Sequence, residues 1–312
     1  MAQSLFQILK GYNTTIDAVA PPWTAPLLAR MPEVRETWVL PVSHGTFGLS
    51  TRWRLGRALR ERHYQQAIVL PSSFKAALVP FFGRAVRRTG YLGEFRFGLL
   101  NDIRTTSARR TVDRFLVLGV ESTQPLPPPP LPRLRVDSDN TQRVLARLGI
   151  ASPRDPVLAL CPGAEYGPAK RWPAVHFAEV AKKAIAIGWQ VWLFGSQRDA
   201  PITAEIQKEV GRMAIDCAGR TSLPDVVDLL SLASAIVTND SGLMHVAAAL
   251  DRPVVALYGS SDPTLTPPLT QRATILRLDL PCSPCLQRTC PKHHLECLQA
   301  LTPAQVLAAL PL

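Results

Sequence analysis

Two stretches of the chain combine small residues, cations and hydroxyls in the order that an anion site needs. The first runs Cys161-Pro-Gly-Ala-Glu-Tyr-Gly-Pro-Ala-Lys170-Arg171-Trp172-Pro173. Gly163, Ala164 and Gly167 let a phosphate approach backbone amides, with Glu165 among them, and the helix that follows adds its positive N-terminal end. Lys170 and Arg171 can neutralise a leaving diphosphate. A turn carrying two solvated cations would read the same. The second stretch is Thr238-Asn239-Asp240-Ser241-Gly242-Leu243-Met244-His245. Here Asp240 is expected to cap the next helix, Asn239 stands beside it and Ser241 offers a hydroxyl. The amides of Ser241 and Gly242 would donate to an anion. His245, one turn further, shares that face. Alone, this motif reads as an Asp cap and a core histidine. Two anion-ready turns at strand ends point instead to one diphosphate-bearing ligand.

A third turn, Phe194-Gly195-Ser196-Gln197-Arg198-Asp199, ends another strand. Gly195, Ser196 and Asp199 fit a base or ribose contact, or a plain strand-to-helix loop. In the N-terminal half, Ser73 and Lys75 lie where a strand gives way to a helix. Arg84, Arg87, Arg88, Arg96 and Arg104 cluster beyond them. Guanidinium forks suit carboxylates and phosphates, although a solvated basic face has the same composition. Cys282-x2-Cys285-x4-Cys290-x6-Cys297, with His293 and His294 inside it, suggests either a tetrahedral zinc knot or reduced thiols packing a loop. No carboxylate cluster accompanies it, so no catalytic metal or other cofactor is expected.

The elements that must position these residues alternate between short strand-like runs and helices, the mark of an α/β fold with parallel sheets. The expected order is helix 2–10, strand 15–19, helix 51–62, strand 67–70, helix 74–82 and helix 111–120. Strands 157–160, 190–194, 235–238 and 254–258 then alternate with helices 175–187, 201–210, 224–233 and 242–250. Thr302 caps a last helix with Pro303 in its first turn. Residues 124–134, reading QPLPPPPLPRL, form a semi-rigid polyproline linker. The domains expected are therefore 1–123 and 135–312, two Rossmann-like halves joined by that linker.

Length and charge agree with two domains and an anionic partner. The 312 residues carry 35 Lys and Arg against 24 Asp and Glu, a net charge of +11. Such a surplus favours nucleic acid, phosphorylated glycolipid or an anionic membrane face. No helix-turn-helix, RNA-recognition or zinc-finger layout accompanies it, so nucleic acid is not expected. No window approaches the roughly 20 apolar residues of a membrane span, and the first residues lack a signal-peptide layout. A cytoplasmic protein peripheral to the inner membrane is expected, with its cysteines reduced.

The runs CPGAEYGPAKRWP, VTNDSGLMHVAAAL, LPSSFKAALVPFF and GYLGEFRFGLLNDIR resemble glycosyltransferase family 9, the heptosyltransferases. The likeness extends over nearly the whole chain. It implies a GT-B fold: two Rossmann-like doubly wound domains facing across a cleft. It also implies an inverting, metal-independent transfer of L-glycero-D-manno-heptose from ADP-heptose to the first heptose of the lipopolysaccharide inner core, on Kdo and lipid A. By matching positions, Lys170 would contact the donor phosphates and Asp240 the heptose hydroxyls. The Ser241 and Gly242 amides would hold the diphosphate, and His245 would support that loop. Family members open with a strand and a glycine-rich loop bearing the general base. This chain opens in the helix that follows them, so the resemblance implies a gap in the N-terminal sheet and turnover slowed by about 10²–10⁴-fold. A donor-binding but catalytically impaired chain, or a heptosyltransferase with another inner-core acceptor, are the alternatives.

Overall fold

The structure, a computed structural model, describes residues 1–43, 45–121 and 123–311. It divides into two compact units, Met1–Pro130 and Leu131–Leu312. Residues 124–134 contain neither helix nor strand, as a proline-rich run without backbone donors should. At its two ends the segment belongs to different units. The Ser4 hydroxyl donates to the Pro130 carbonyl at 2.7 Å, and the Leu134 amide donates to the Ala249 carbonyl at 3.1 Å.

The first unit opens with helix Ala2–Gly11. Its strands are β1 (Ile16–Ala20), β2 (Val34–Val39), β3 (Gln66–Val69), β4 (Arg87–Tyr91) and β5 (Asp102–Arg104). They form two parallel sheets, β1-β2 and β3-β4-β5, rather than one. Helix Leu49–Leu59 packs on helix Leu78–Phe82 at a contact that only glycine permits. A Cβ on Gly56 would stand 2.5 Å from the Phe82 Cβ and 2.8 Å from the Val79 carbonyl oxygen. Expected helix 74–82 is two pieces, a 3-10 turn Phe74–Ala77 followed by Leu78–Phe82.

The second unit is one six-stranded parallel sheet: β6 (Val157–Cys161), β7 (Gln190–Leu193), β8 (Ala214–Asp216), β9 (Ala235–Asn239), β10 (Val254–Tyr258) and β11 (Ala273–Arg277). The order is β11-β10-β9-β6-β7-β8, a doubly wound arrangement whose strand order reverses between β6 and β9. Strands β6, β9 and β10 are buried along their whole length. Helices on both faces of a parallel sheet demand such continuous apolar runs, and VLALC, AIVTN and VVALY supply them. Helix Ala174–Ala186 buries Phe177, Ala178, Val180, Ala181 and Ala184 against the sheet. Helix Pro303–Ala308 closes the same core with Val306. Its cap is the expected one: the Thr302 hydroxyl accepts from the Gln305 amide at 3.4 Å. Among the described residues no helix is long and apolar enough to cross a membrane.

Candidate functional site

Because all six strands of the second unit are parallel, the loops after β10, β9, β6 and β7 leave one edge of the sheet side by side. In doubly wound sheets ligands bind outside the carboxyl ends of the strands at the reversal point, here β6 and β9. The two stretches singled out above are those two loops.

Asn239 ties them together. Its side chain is fully buried; the amide nitrogen donates to the Pro162 carbonyl at 2.7 Å and the amide oxygen accepts from the Trp172 N–H at 3.1 Å. Both ends of the side chain are spent on the neighbouring loop, so Asn239 positions the site rather than facing into it. Trp172 is buried in turn, its indole N–H donating to the Leu301 carbonyl at 2.8 Å. Lys170 is thereby fixed over the next strand end. Its ammonium lies 2.5 Å from the Asp240 carboxylate, with side chains 16% and 6% exposed.

Asp240 therefore does not cap the helix, as the sequence suggested. The N-cap of Gly242–Ala249 is Ser241, whose side chain makes no capping hydrogen bond. The Lys170 cation draws the Asp240 carboxylate away from the amides it would have capped. The first N–H groups of that helix are left to a ligand, and Gly242 is exposed with open space about its Cβ position. His245 lies one turn along, half-buried. Burial pushes its imidazole down to about 4, so it is neutral at physiological pH.

The remaining residues of the first loop divide. Gly163 meets the third turn so closely that an added Cβ would stand 2.4 Å from the Asp199 carboxyl carbon. The Asp199 carboxylate accepts from the Ser196 amide at 2.9 Å and the Ser196 hydroxyl at 2.7 Å. A Cβ on Gly195 would strike the Asp199 Cβ at 2.7 Å. The third turn is thus a closed capping box packed on the first loop. Ala164 is buried, and its carbonyl accepts from Arg171 at 3.3 Å. Glu165 points to solvent and pairs with Arg198 at 2.6 Å.

Sequence reasoning passed over the loop after β10. Ser260 and Ser261 follow that strand after Gly259, 1% and 7% exposed, and among the described residues neither hydroxyl has a hydrogen-bond partner. A buried hydroxyl without a partner is costly, and two at a strand-end edge are available to a ligand. The position just past a strand facing the reversal point was the signal. Tyr166 was passed over too; Lys170 and Arg288 stand over its ring at 4.9 and 5.0 Å.

In the first unit, Ser73 precedes the Phe74–Ala77 turn without a side-chain cap bond. Lys75 donates to the Thr46 carbonyl at 3.3 Å. The arginines beyond them are largely committed. Arg96 is fully buried and donates to the carbonyls of Pro71 and Leu92 at 2.7 and 3.2 Å and to that of Tyr91. Arg87 pairs with Asp102 and Glu121, and Arg104 with Asp102. Arg88 donates to the Leu99 and Ala85 carbonyls. These four do not form the open anion cluster that their spacing suggested, because carboxylates and buried carbonyls in their own sheet claim them.

The family model of glycosyltransferase family 9 (heptosyltransferase) matches residues 52–296. Lipopolysaccharide heptosyltransferase 2 of Salmonella typhimurium is 46% identical over 293 residues, covering 89% of this chain and 84% of that protein. The Escherichia coli K12 protein of the same name has the same identity and coverage. The solved structure of E. coli ADP-heptose lipopolysaccharide heptosyltransferase II superposes with a TM-score of 0.85 at 40% identity, covering 99% of this chain and 92% of that one. The chain belongs to glycosyltransferase family 9, the heptosyltransferases.

Proposed function

We propose that the protein transfers L-glycero-D-manno-heptose from ADP-heptose to the first heptose of the lipopolysaccharide inner core, with inversion at the anomeric carbon. The observation that carries this reading is the Lys170–Asp240 pair, 2.5 Å apart at the reversal point of the sheet and beside a helix start whose N-cap residue, Ser241, makes no side-chain capping bond. A nucleoside diphosphate-sugar needs both halves of that arrangement. The ammonium and the amides of Ser241 and Gly242 stabilise charge developing on ADP as the glycosidic bond breaks. Asp240 accepts from sugar hydroxyls and, being held by Lys170, is read as an orienting group rather than the base. Gly163 and Gly195 let the Asp199 turn pack closely on the first loop, and so set the shape of the neighbouring strand ends.

The reaction is an in-line displacement. The acceptor hydroxyl oxygen bonds to the anomeric carbon, the bond to ADP breaks with its electron pair leaving on the ADP phosphate, and the hydroxyl proton passes to solvent water. No metal is needed where a lysine and a helix start hold the diphosphate. The first unit, including Ser73 and Lys75, would bind the acceptor. Its phosphates and Kdo carboxylates suit a chain of charge +11. The same charge favours a place at the cytoplasmic surface of the inner membrane. Co-sedimentation with anionic vesicles that weakens with salt would support that location; none at low salt would refute it.

The test is calorimetric titration with ADP, followed by turnover with ADP-heptose and an inner-core acceptor ending in one heptose. Binding that weakens in Lys170→Ala and Asp240→Ala, with transfer lost, supports the reading. ADP affinity unchanged in both variants would overturn the donor site. Intact ADP binding without transfer to that acceptor would overturn the proposed reaction.

A further inference from the structure

The loop after β11 carries Cys282, Cys285, Cys290 and Cys297, which the proposed transfer does not use. All four are free thiols, and the first three are only partly buried. They line one cavity of about 20 Å³ together with Ala169, Ser260 and His294. That volume suits a single water-sized or ion-sized occupant. The lining is sulfur-rich: Cys282, Cys285 and Cys290 come from the loop and Cys297 from the helix Glu296–Gln299.

The backbone is shaped to bring them there. Leu286, directly after Cys285, has φ 57°, and His293 and Leu295, between Cys290 and Cys297, have φ 59° and 49°. Left-handed conformations at such residues are uncommon and reverse the chain sharply. The second reversal is closed by the His293 amide, which donates to the Cys290 carbonyl at 3.2 Å. The loop is also fastened at its base. The Leu286 amide donates to the Ser260 carbonyl at 2.7 Å, the Ser283 hydroxyl to the Gly259 carbonyl at 2.7 Å, and the Ala169 amide to the Arg288 carbonyl at 3.1 Å. Among the described residues no three such donors stand in ligating positions about one point, so holding an ion there would require the thiols to turn inward.

We propose that Cys282, Cys285, Cys290 and Cys297 bind one divalent metal ion, zinc by preference, as a closed four-thiolate structural site. Four soft ligands select zinc or iron over magnesium or calcium. A full sulfur shell leaves no open position for substrate, so the site is structural. On binding, four S–H groups release four protons to solvent and four metal–sulfur bonds form, with no change of oxidation state. The ion would then hold the cysteine loop against Ala169 and Ser260, and so brace the turn that ends in Lys170. The site itself does not depend on the assigned reaction.

The test is metal analysis of the full chain purified without chelator from zinc-supplemented cells. Cobalt exchange and Cys285→Ser/Cys290→Ser are measured beside it. One zinc or iron per chain, lost in the double variant, supports the proposal. If that variant does not fold, the wild-type chain still decides: cobalt should give thiolate charge-transfer bands and intense tetrahedral ligand-field bands, and chelator should lower the melting temperature. Metal well below one per chain, with all four thiols equally reactive before and after chelator, would overturn it. So would two disulfides found by mass spectrometry.

Discussion

The Asp240 carboxylate holds the Lys170 ammonium at 2.5 Å although the two residues are 70 positions apart and on different strand ends. Both side chains are largely buried, so each offsets the cost of burying the other's charge. On the donor site proposed above, a bound diphosphate would share Lys170 with Asp240.

Removing either partner should then show in two assays at once. Lys170→Ala leaves the Asp240 carboxylate buried without its cation, and stability should fall by about 1–3 kcal/mol. Transfer should fall by about 10²-fold or more, the usual scale for losing one group that stabilises developing charge. Denaturant melts and kcat on the same samples measure the two effects. A Lys170→Ala chain as active as wild type would remove Lys170 from the mechanism.

Asn239→Ala should weaken ADP binding without removing any ligand contact. The Trp172 amide and the Pro162 carbonyl would both lose their partner, costing about 1–3 kcal/mol for each buried group left unpaired. With the tie cut, the loop that carries Lys170 is no longer held to the loop that carries Asp240. The expected result is a lower urea midpoint and a higher ADP dissociation constant together. A lower midpoint with unchanged affinity would mean that Asn239 supports the fold alone.

His245 gives the fold a pH dependence of definite sign. Its value is lowered from 6.5 to about 4, chiefly by burial. The unfolded chain therefore binds a proton more readily than the folded one between those values. The contribution of this group is fully present above about pH 6.5 and is lost as the pH falls toward 4. Urea midpoints measured between neutral pH and about pH 4.5 should decline less in His245→Gln than in wild type. Equal declines would show that other groups carry the acid sensitivity.

The parts of this architecture legible in the sequence are those where burial forces an apolar run. Strand β10 has the expected bounds, and β6 and β9 differ from theirs by one residue at the C-terminal end, since each is covered on both faces. Strands β8 and β11 escaped notice because they are the edges of that sheet and need no such run. Only Ala214 of β8 is buried, and no residue of β11 is. In the first unit, RRTGY and DIR read as surface until Arg87 and Arg104 are seen to pair with Asp102. Helix Ser138–Leu148 has a strongly polar sequence, and its Asn140 and Arg147 side chains bond Asp225 across the unit. The site was legible as two loops, because glycines, cations and hydroxyls at strand ends are local signals. How those residues pair with one another was not legible. The Asn239 tie, the Asp199 capping box and the pull of Lys170 on Asp240 all cross between strands distant in sequence.

Gly163 offers the sharpest check on how the strand-end loops pack. A methyl group there would lie 2.4–2.6 Å from the three carboxyl atoms of Asp199. That carboxylate cannot move freely, because the Ser196 amide and hydroxyl both bind it. Gly163→Ala should therefore destabilise the chain by about 1–3 kcal/mol, the range for overpacking a fitted contact. Asp199→Ala alone should cost about 0.5–2 kcal/mol through the lost cap. In the double variant the methyl group occupies the space that the carboxylate vacated, so the two costs should sum to clearly more than the measured total. Additive losses in the urea midpoints would mean that the two loops do not touch as described. Losses below additivity, with ADP affinity recovering in the double variant, would place the fit between Gly163 and Asp199 among the features that shape the donor site.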